Sequence, residues 1–498
     1  MTVPFNSIPS DLRVPLFYAE LDNSAANTAT EVMRRLLIAQ VNDDASHEAI
    51  GKLTLVSRTS EAVAIGGAGS MLANMHETFR RNDPFGAVWC LPLRLTTGTA
   101  ATATVTITGT ASAAGLLYLY VAGQRVQAIV PRAASAAAAA EALAAAINAA
   151  GSVPVKAAAV AGVVTLTAKF KGVLGNDVQL TLNLLGSLQG EITPAGLTVA
   201  VTAMAGGAGA PEPAEVLAAI GDAPFEFIGQ PWTDATTLDA WAEFMGTTAG
   251  RWSWSKQLYG RVYTAKRGTL GTLVALGSSR NDPFMTISGF ESPVQAPAWA
   301  VASAHLARTA VFIGADPARP TQTGILIGMD AAPESARFDL GERQSLLENG
   351  IATLVYEGGA QRIERAITTY RVNAYGQADN SYMDSEPLHQ SAYVLRFIRS
   401  RISSKFGRHK LANDGTRFAP GQAIVTPNTI RAELIAGYGE LERNGLVENA
   451  EAFSQHLVVE RDSSSPNRLN VLYPPDLVNQ LRVFALLYQF RLQYPEAA

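Results

Sequence analysis

With 498 residues and a formal charge of −4, from 39 Lys and Arg against 43 Asp and Glu, the chain lacks the basic surface of a nucleic-acid-coating protein. Hydrophobic residues make up 48% and charged residues 16%, which suits about three folded domains and excludes a disordered chain. No charged-then-apolar leader opens the sequence, and no run of about 18 apolar residues offers a span, so direct membrane insertion is not expected.

In chain order, residues 1–27 read as an extended N-terminal arm. Prolines 4, 9 and 15 fix φ and remove donors, which rules out a central strand. The β-like run at 14–21 makes Val14, Leu16, Phe17, Tyr18 and Leu21 candidate contacts with another subunit. Residues 28–95 begin an α/β unit. The apolar run 62–65 predicts a strand, 66–69 a glycine turn, Ser70 the N-cap of a helix to about Arg81, and 87–93 the next strand. Cys90, the sole cysteine, lies in that last run and reads as a buried structural thiol; a disulfide within the chain is impossible.

Residues 96–208 change character, being rich in Thr, Ala, Gly and Val. They predict strands at 103–108, 116–121, 125–130, 163–168 and 178–184 around an Ala-rich helix at 133–150, whose Leu143 and Ile147 form one apolar stripe. This reads as a small α+β domain set into a loop, closed by a flexible linker at 206–213. The α/β pattern resumes over 209–360, with strands at 225–229, 258–264 and 284–290. A helix capped by Thr233 or Asp234 carries Leu238, Trp241, Ala242 and Met245 on one face, and a shorter helix covers 269–277. Such alternation predicts an α/β core with a mostly parallel sheet. Arg-Asn-Asp-Pro-Phe occurs at 81–85 and again at 280–284, each time between a helix and a strand, as equivalent turns would.

Residues 361–487 predict an α+β C-terminal domain. It holds a β-like run at 363–372, a helix at 388–406 with Leu395, Ile398, Ile402 and Phe406 on its buried side, a second helix from about Asn428 with Ile430, Leu434 and Leu441, and strands at 457–461 and 469–473. From Tyr488 the chain alternates strictly, with Tyr488, Phe490, Leu492 and Tyr494 on one side and Gln489, Arg491 and Gln493 on the other. A strand over 481–494 would span about 45 Å, longer than any ordinary sheet needs. Its end, the C-terminal arm 488–498, is expected to pair with another copy of the chain.

Catalytic motifs are not evident. No Gly-x-Ser-x-Gly occurs, and the six histidines (47, 76, 305, 389, 409, 456) never fall three or four residues apart, so no catalytic, cofactor-binding or metal residue is assigned. The glycine turn at 66–69 lacks both the dinucleotide fingerprint and a P-loop lysine, and reads as packing. Arg396, Arg399, Arg401, Lys405, Arg408 and Lys410 fall in one helix and its exit, with no acid between 391 and 413. They suit either a solvated face or docking onto an acidic protein surface.

Residues 465–485, Ser-Pro-Asn-Arg-Leu-Asn-Val-Leu-Tyr-Pro-Pro-Asp-Leu-Val-Asn-Gln-Leu-Arg-Val-Phe-Ala, resemble the closing segment of tail sheath proteins from Mu-like contractile phages. Residues 8–20 and the 82–86 turn, followed by Trp89 and Leu91-Pro92-Leu93, resemble the same family. The resemblance implies a non-enzymatic virion subunit without cofactor, whose central domain has subtilisin-like topology but no triad. It also implies stacked hexameric rings around a tail tube protein, contraction for genome ejection, and contacts with baseplate and tail terminator proteins. Terminal arms would donate strands to neighbours' C-terminal domains. Assembly would take place in the host cytoplasm, the insert would lie outside, and the basic helix would face the tube. The alternatives are the sheath of a phage-derived bacteriocin, which is the same machine without a genome, or a cytoplasmic α/β enzyme binding a ligand at 66–69.

Overall fold

The structure, a computed structural model, describes residues 33–493. Val14, Leu16, Phe17, Tyr18, Leu21 and Tyr494 lie outside the described residues.

The first strand, β1 (Arg35–Gln40), has five of its six residues buried and no alternation, as a strand covered on both faces would. The sequence reading passed over it. A two-residue edge strand, β2 (Thr54–Leu55), is followed by α1 (Thr59–Gly66), α2 (Met71–Asn82) and β3 (Val88–Leu93). Helix α1 overturns the strand expected at 62–65. The Glu61 carboxylate accepts from the N–H groups of Ser57 (2.9 Å) and Arg58 (3.4 Å), closing the first turn, and four apolar residues alone cannot separate helix from strand. Ser70 caps α2 as expected, its Oγ accepting from the Ala73 N–H at 3.1 Å. Burial pushes the Cys90 thiol up to about 12, which makes it inert.

The next residues build two sheets of their own from β4 (Ala100–Gly109), β5 (Gly115–Val121), β6 (Gln124–Val130), β7 (Val155–Val160), β8 (Val163–Lys171), β9 (Leu180–Leu182) and β10 (Leu197–Val201). One has the order β10-β4-β8-β7 and the other β6-β5-β9, with every pairing antiparallel. Helix α3 (Ala136–Ala149) buries Ala139, Ala140, Leu143, Ala144 and Ile147 against them. The stretch 206–213 is not a free linker. Thr99 and Ala208 exchange backbone hydrogen bonds at 3.0 and 3.1 Å, and the Asn176 amide bonds both the N–H and the C=O of Gly207 at 2.9 Å. Its glycines serve close approach, since a Cβ on Gly207 would lie 2.6 Å from the Gly172 carbonyl oxygen.

The chain then returns through α4 (Pro213–Ile220), β11 (Phe227–Gly229), α5 (Ala235–Met245), β12 (Arg261–Gly268), α6 (Leu270–Ser278), β13 (Met285–Glu291), α7 (Ala298–Ala315), α8 (Leu340–Glu348), β14 (Ala352–Glu357) and β15 (Ala360–Arg365). Together with β1–β3 these strands form an eight-stranded sheet of order β15-β14-β13-β12-β11-β1-β3-β2. Every inner pairing is parallel and both edge pairings are antiparallel. Strand β15, grouped by sequence with the C-terminal domain, is an edge of this sheet. Helix α7 also corrects an expectation: over 18 residues its mean hydropathy is 1.2, long and apolar enough to cross a membrane, yet 72% of it is buried inside the protein against α2 and β12.

The C-terminal part contains α9 (Glu386–Phe406), β16 (Lys410–Leu411), β17 (Ile424–Val425), α10 (Pro427–Arg443), β18 (Val447–Glu448), α11 (Ala450–His456), β19 (Val458–Arg461), β20 (Leu469–Leu472) and β21 (Asp476–Leu477). Tyr438, Leu434, Leu441 and Phe453 form its core, with the Tyr438 and Phe453 rings stacked at 3.8 Å. Among the described residues the long strand expected from 481 is absent: β21 ends at Leu477, and residues 478–493 pair with no other described strand.

A parallel sheet has two distinct ends, and they carry different things. At the C-terminal ends of the strands, Gln40 Nε2 donates to the Lys171 carbonyl (2.9 Å) and Arg267 Nε pairs with Asp177 (2.7 Å), which docks the 100–201 sheets. At the N-terminal ends, Arg261 Nη1 donates to the Ser385 carbonyl (3.1 Å) and Tyr263 OH meets His389 Nε2 (2.9 Å), which docks α9.

Candidate assembly interface

Helices α9 and α10 and the β19-β20 hairpin leave an open apolar groove of about 530 Å³, lined by Leu395, Ile398 and Ile402 of α9, Leu434 of α10, and Leu469 and Val471 of β20. The stripe on α9 expected to be a buried core face is therefore only partly covered; Leu395 is 43% exposed. The sheet beside the groove has two strands, and no third strand joins it among the described residues. Among the described residues no strand pairs with either outer edge, and such an edge has the chemistry of strand addition.

The tail carries the complementary chemistry. Val483, Phe484, Leu486, Leu487, Tyr488, Phe490 and Leu492 are all exposed, Leu487 at 89%. The rings of Tyr488 and Phe490 lie on the same side of the chain with centroids 6.4 Å apart, as neighbours of period two do. Exposed apolar residues this dense are costly to keep in water unless something covers them.

The basic helix is less basic than it reads. Arg396 pairs with Glu226 and donates to the Tyr259 carbonyl (3.2 Å); Arg401 pairs with Glu433 and Glu440; Lys405 Nζ lies 2.6 Å from Glu433. Burial raises the Glu433 carboxyl, but its bonds to Lys405 and Arg401 outweigh that and hold it below the ordinary value. These three cations are neutralised within the fold, by carboxylates far away in sequence that a local charge count cannot see. Arg399, Arg408 and Lys410 remain exposed.

The glycine turn faces the insert. Gly69 has φ +73°, a Cβ there would sit 2.2 Å from the Val153 carbonyl oxygen, and Lys169 Nζ donates to the Ala68 carbonyl at 2.9 Å. These contacts pack the turn against the insert, and a cleft of about 160 Å³ lies beside Ala68 and Gly69. One enzyme-like pair escaped the sequence reading: Ser288 Oγ and His305 Nδ1 are 2.5 Å apart. Both are fully buried, so no substrate reaches them. No signal short of the fold could have found it, since the pair joins β13 to α7. The two Arg-Asn-Asp-Pro-Phe turns also differ, with Phe85 96% exposed and Phe284 packed at 6%.

Residues 206–369 match the family described as phage tail sheath protein central domain, and residues 377–491 match the phage tail sheath C-terminal domain. Over 497 residues, 99% of this chain and all of the other, the sequence is 40% identical to the Mu-like prophage FluMu tail sheath protein of Haemophilus influenzae. The chain belongs to the phage tail sheath protein family. Among solved structures, this sheath chain is similar to the sheath tail protein of Desulfitobacterium hafniense, with 14% identity, TM-score 0.49, and 94% and 97% of the two chains covered. It is also similar to the contracted helical sheath of the anti-feeding prophage, with 10% identity, TM-score 0.46, and 97% and 100% covered. The family is one of structural tail proteins, not of enzymes.

Proposed function

We propose that the chain is the subunit of a contractile tail sheath, stacked as hexameric rings around a tail tube and linked by exchanged arms. The observation that carries this reading is the coexistence of an open apolar groove beside an unfinished two-stranded sheet and an exposed apolar tail of period two. A strand donated by a neighbour completes the sheet, each backbone hydrogen bond contributing about 0.5–1.5 kcal/mol net. Its alternate side chains fill the groove. Head-to-tail donation of this kind generates open helical polymers.

In this reading the eight-stranded sheet is the family's subtilisin-like core. The 96–208 insert, docked at one end of that sheet, faces outward; the C-terminal domain at the other end faces the tube. Arg399, Arg408 and Lys410, not the whole basic helix, then meet an acidic tube surface. Baseplate and terminator proteins hold the two ends of the polymer. Contraction is driven by contact area gained in the short state, from an extended state held behind a kinetic barrier, and needs no nucleotide. The polymer assembles in the host cytoplasm and works in the virion to eject the genome.

The test compares full-length chain with chains lacking residues 1–23 or 490–498, by sedimentation and electron microscopy with thermal melts alongside. Both truncated chains should fold and fail to form linked tubes. Normal tubes that contract without shedding subunits, from either truncation, would sink arm exchange. Charge reversal at Arg399 and Arg408 should weaken co-assembly with the tube at low salt while leaving the melt unchanged. Unaltered tube binding at every salt concentration leaves only a solvated face.

A further inference from the structure

The segment Asn479-Gln480-Leu481-Arg482 leads into the tail, and its side chains do not stay within the C-terminal domain. Arg482, 11% exposed, places Nη2 at 2.7 Å from Glu386 Oε2 and 3.3 Å from Asp384 Oδ1, while Nη1 donates to Gln322 Oε1 at 3.2 Å. Gln322 returns a bond to the Leu481 carbonyl (3.1 Å), and Gln480 Nε2 donates to the Ala318 carbonyl and Gln390 Oε1, both at 3.1 Å. Glu386 is wholly buried. Its other oxygen accepts from the N–H and the hydroxyl of Thr321 at 2.9 Å, and Asp384 takes a forked pair from Arg365, the last residue of β15. The next residue outward, Val483, is 76% exposed.

We infer that Arg482 fastens the C-terminal tail across the seam between the large-sheet body and the C-terminal domain, so that a pull on an engaged tail reaches both at once. The inference rests on the reading that a neighbour holds the tail. Without these contacts the tail would root in the two-residue β18-β21 pairing and the bonds of Val478 to Leu446 and Gln390, all inside the smaller domain. Releasing Arg482 would strand a buried carboxylate, which is why the root stays docked while the residues beyond it are exposed. Arg482 is a positioning residue: it fixes where the tail departs and which parts of the fold move with it.

Arg482→Ala alone would leave Glu386 charged and unpaired and so mix unfolding with release. The informative variant is Arg482→Met with Glu386→Gln, and a second is Gln322→Ala with Gln480→Ala. Both are made in full-length protein beside a chain ending at Leu487. The readouts are thermal melting, limited cleavage at 479–483 by a broad-specificity protease in unpolymerised protein, and tube length by electron microscopy after fixed shear. Each double variant should melt cooperatively, be cut several-fold faster at 479–483, and form tubes that shear into pieces several-fold shorter than native. Native cleavage rates at this segment, or tubes as shear-resistant as native, would overturn the fastening role and leave arm exchange standing. Shear-resistant tubes from the chain ending at Leu487 would overturn arm exchange itself, and this inference with it.

Discussion

Single side chains set the local stability of this fold, and four changes separate the effects. Ser70→Ala removes the Oγ that accepts from the Ala73 N–H and should cost about 1 kcal/mol, read as a lowered urea midpoint with unchanged slope. Gly51 (φ +81°) and Gly69 (φ +73°) share a left-handed backbone, but a Cβ on Gly51 meets open space, whereas on Gly69 it meets the Val153 carbonyl oxygen. Gly51→Ala should therefore cost about 1–2 kcal/mol. Gly69→Ala should cost more and open 151–153 to proteolysis. His76, His305 and His389 are each held below the usual histidine value by burial, His305 at about 4. Unfolded chains take up these protons near pH 6.5 and the folded chain does not, so stability is complete above about 6.5 and is lost as pH falls toward 4. His305→Gln should remove on the order of 3 kcal/mol of that pH-dependent loss, measured as urea midpoints at pH 7.5 and 4.5.

Elements were legible where a periodic face coincided with a cap. Ser70 before α2 is read directly and the cap of α5 is narrowed to Thr233 or Asp234, of which Asp234 is the cap, because a short polar side chain accepting from the third N–H leaves a local trace. Strand β1 and helix α7 were not read, because burial on all sides removes the alternation that periodicity depends on. Glycine-rich 206–213 misled for the opposite reason: composition reports backbone freedom, whereas here the same residues permit close contact. At the candidate interface, the alternation after Tyr488 pointed to the tail, but the groove needs α9, α10 and β20 together and has no local signature. The ion pairs of the basic helix were hidden for the same long-range reason, its acids being Glu226, Glu433 and Glu440. A prediction follows for the insert. Replacing residues 100–207 with a short Gly-Ser linker should leave a cooperative but less stable body by circular dichroism melting, since the Phe170–Trp299 ring contact and the Asp177–Arg267 pair are lost.

For the molecule as a whole, the exposed tail beyond Arg482 contributes little to its own fold and much to how copies meet. Removing residues 483–498 should leave the urea midpoint unchanged while raising the concentration at which the protein stays monomeric in sedimentation. The neck at Thr99 and Ala208 has a different consequence. Its two strands enter and leave as one hydrogen-bonded pair, which in an antiparallel ladder holds the Cα atoms about 5.5 Å apart. The entropic cost of closing a loop grows only slowly with its length, so changing the size of what hangs from that neck costs the body little beyond the insert's own contacts. The neck is a graft point: a foreign domain whose termini lie a strand's width apart can be carried there, once per subunit, along the full length of any polymer the chain forms.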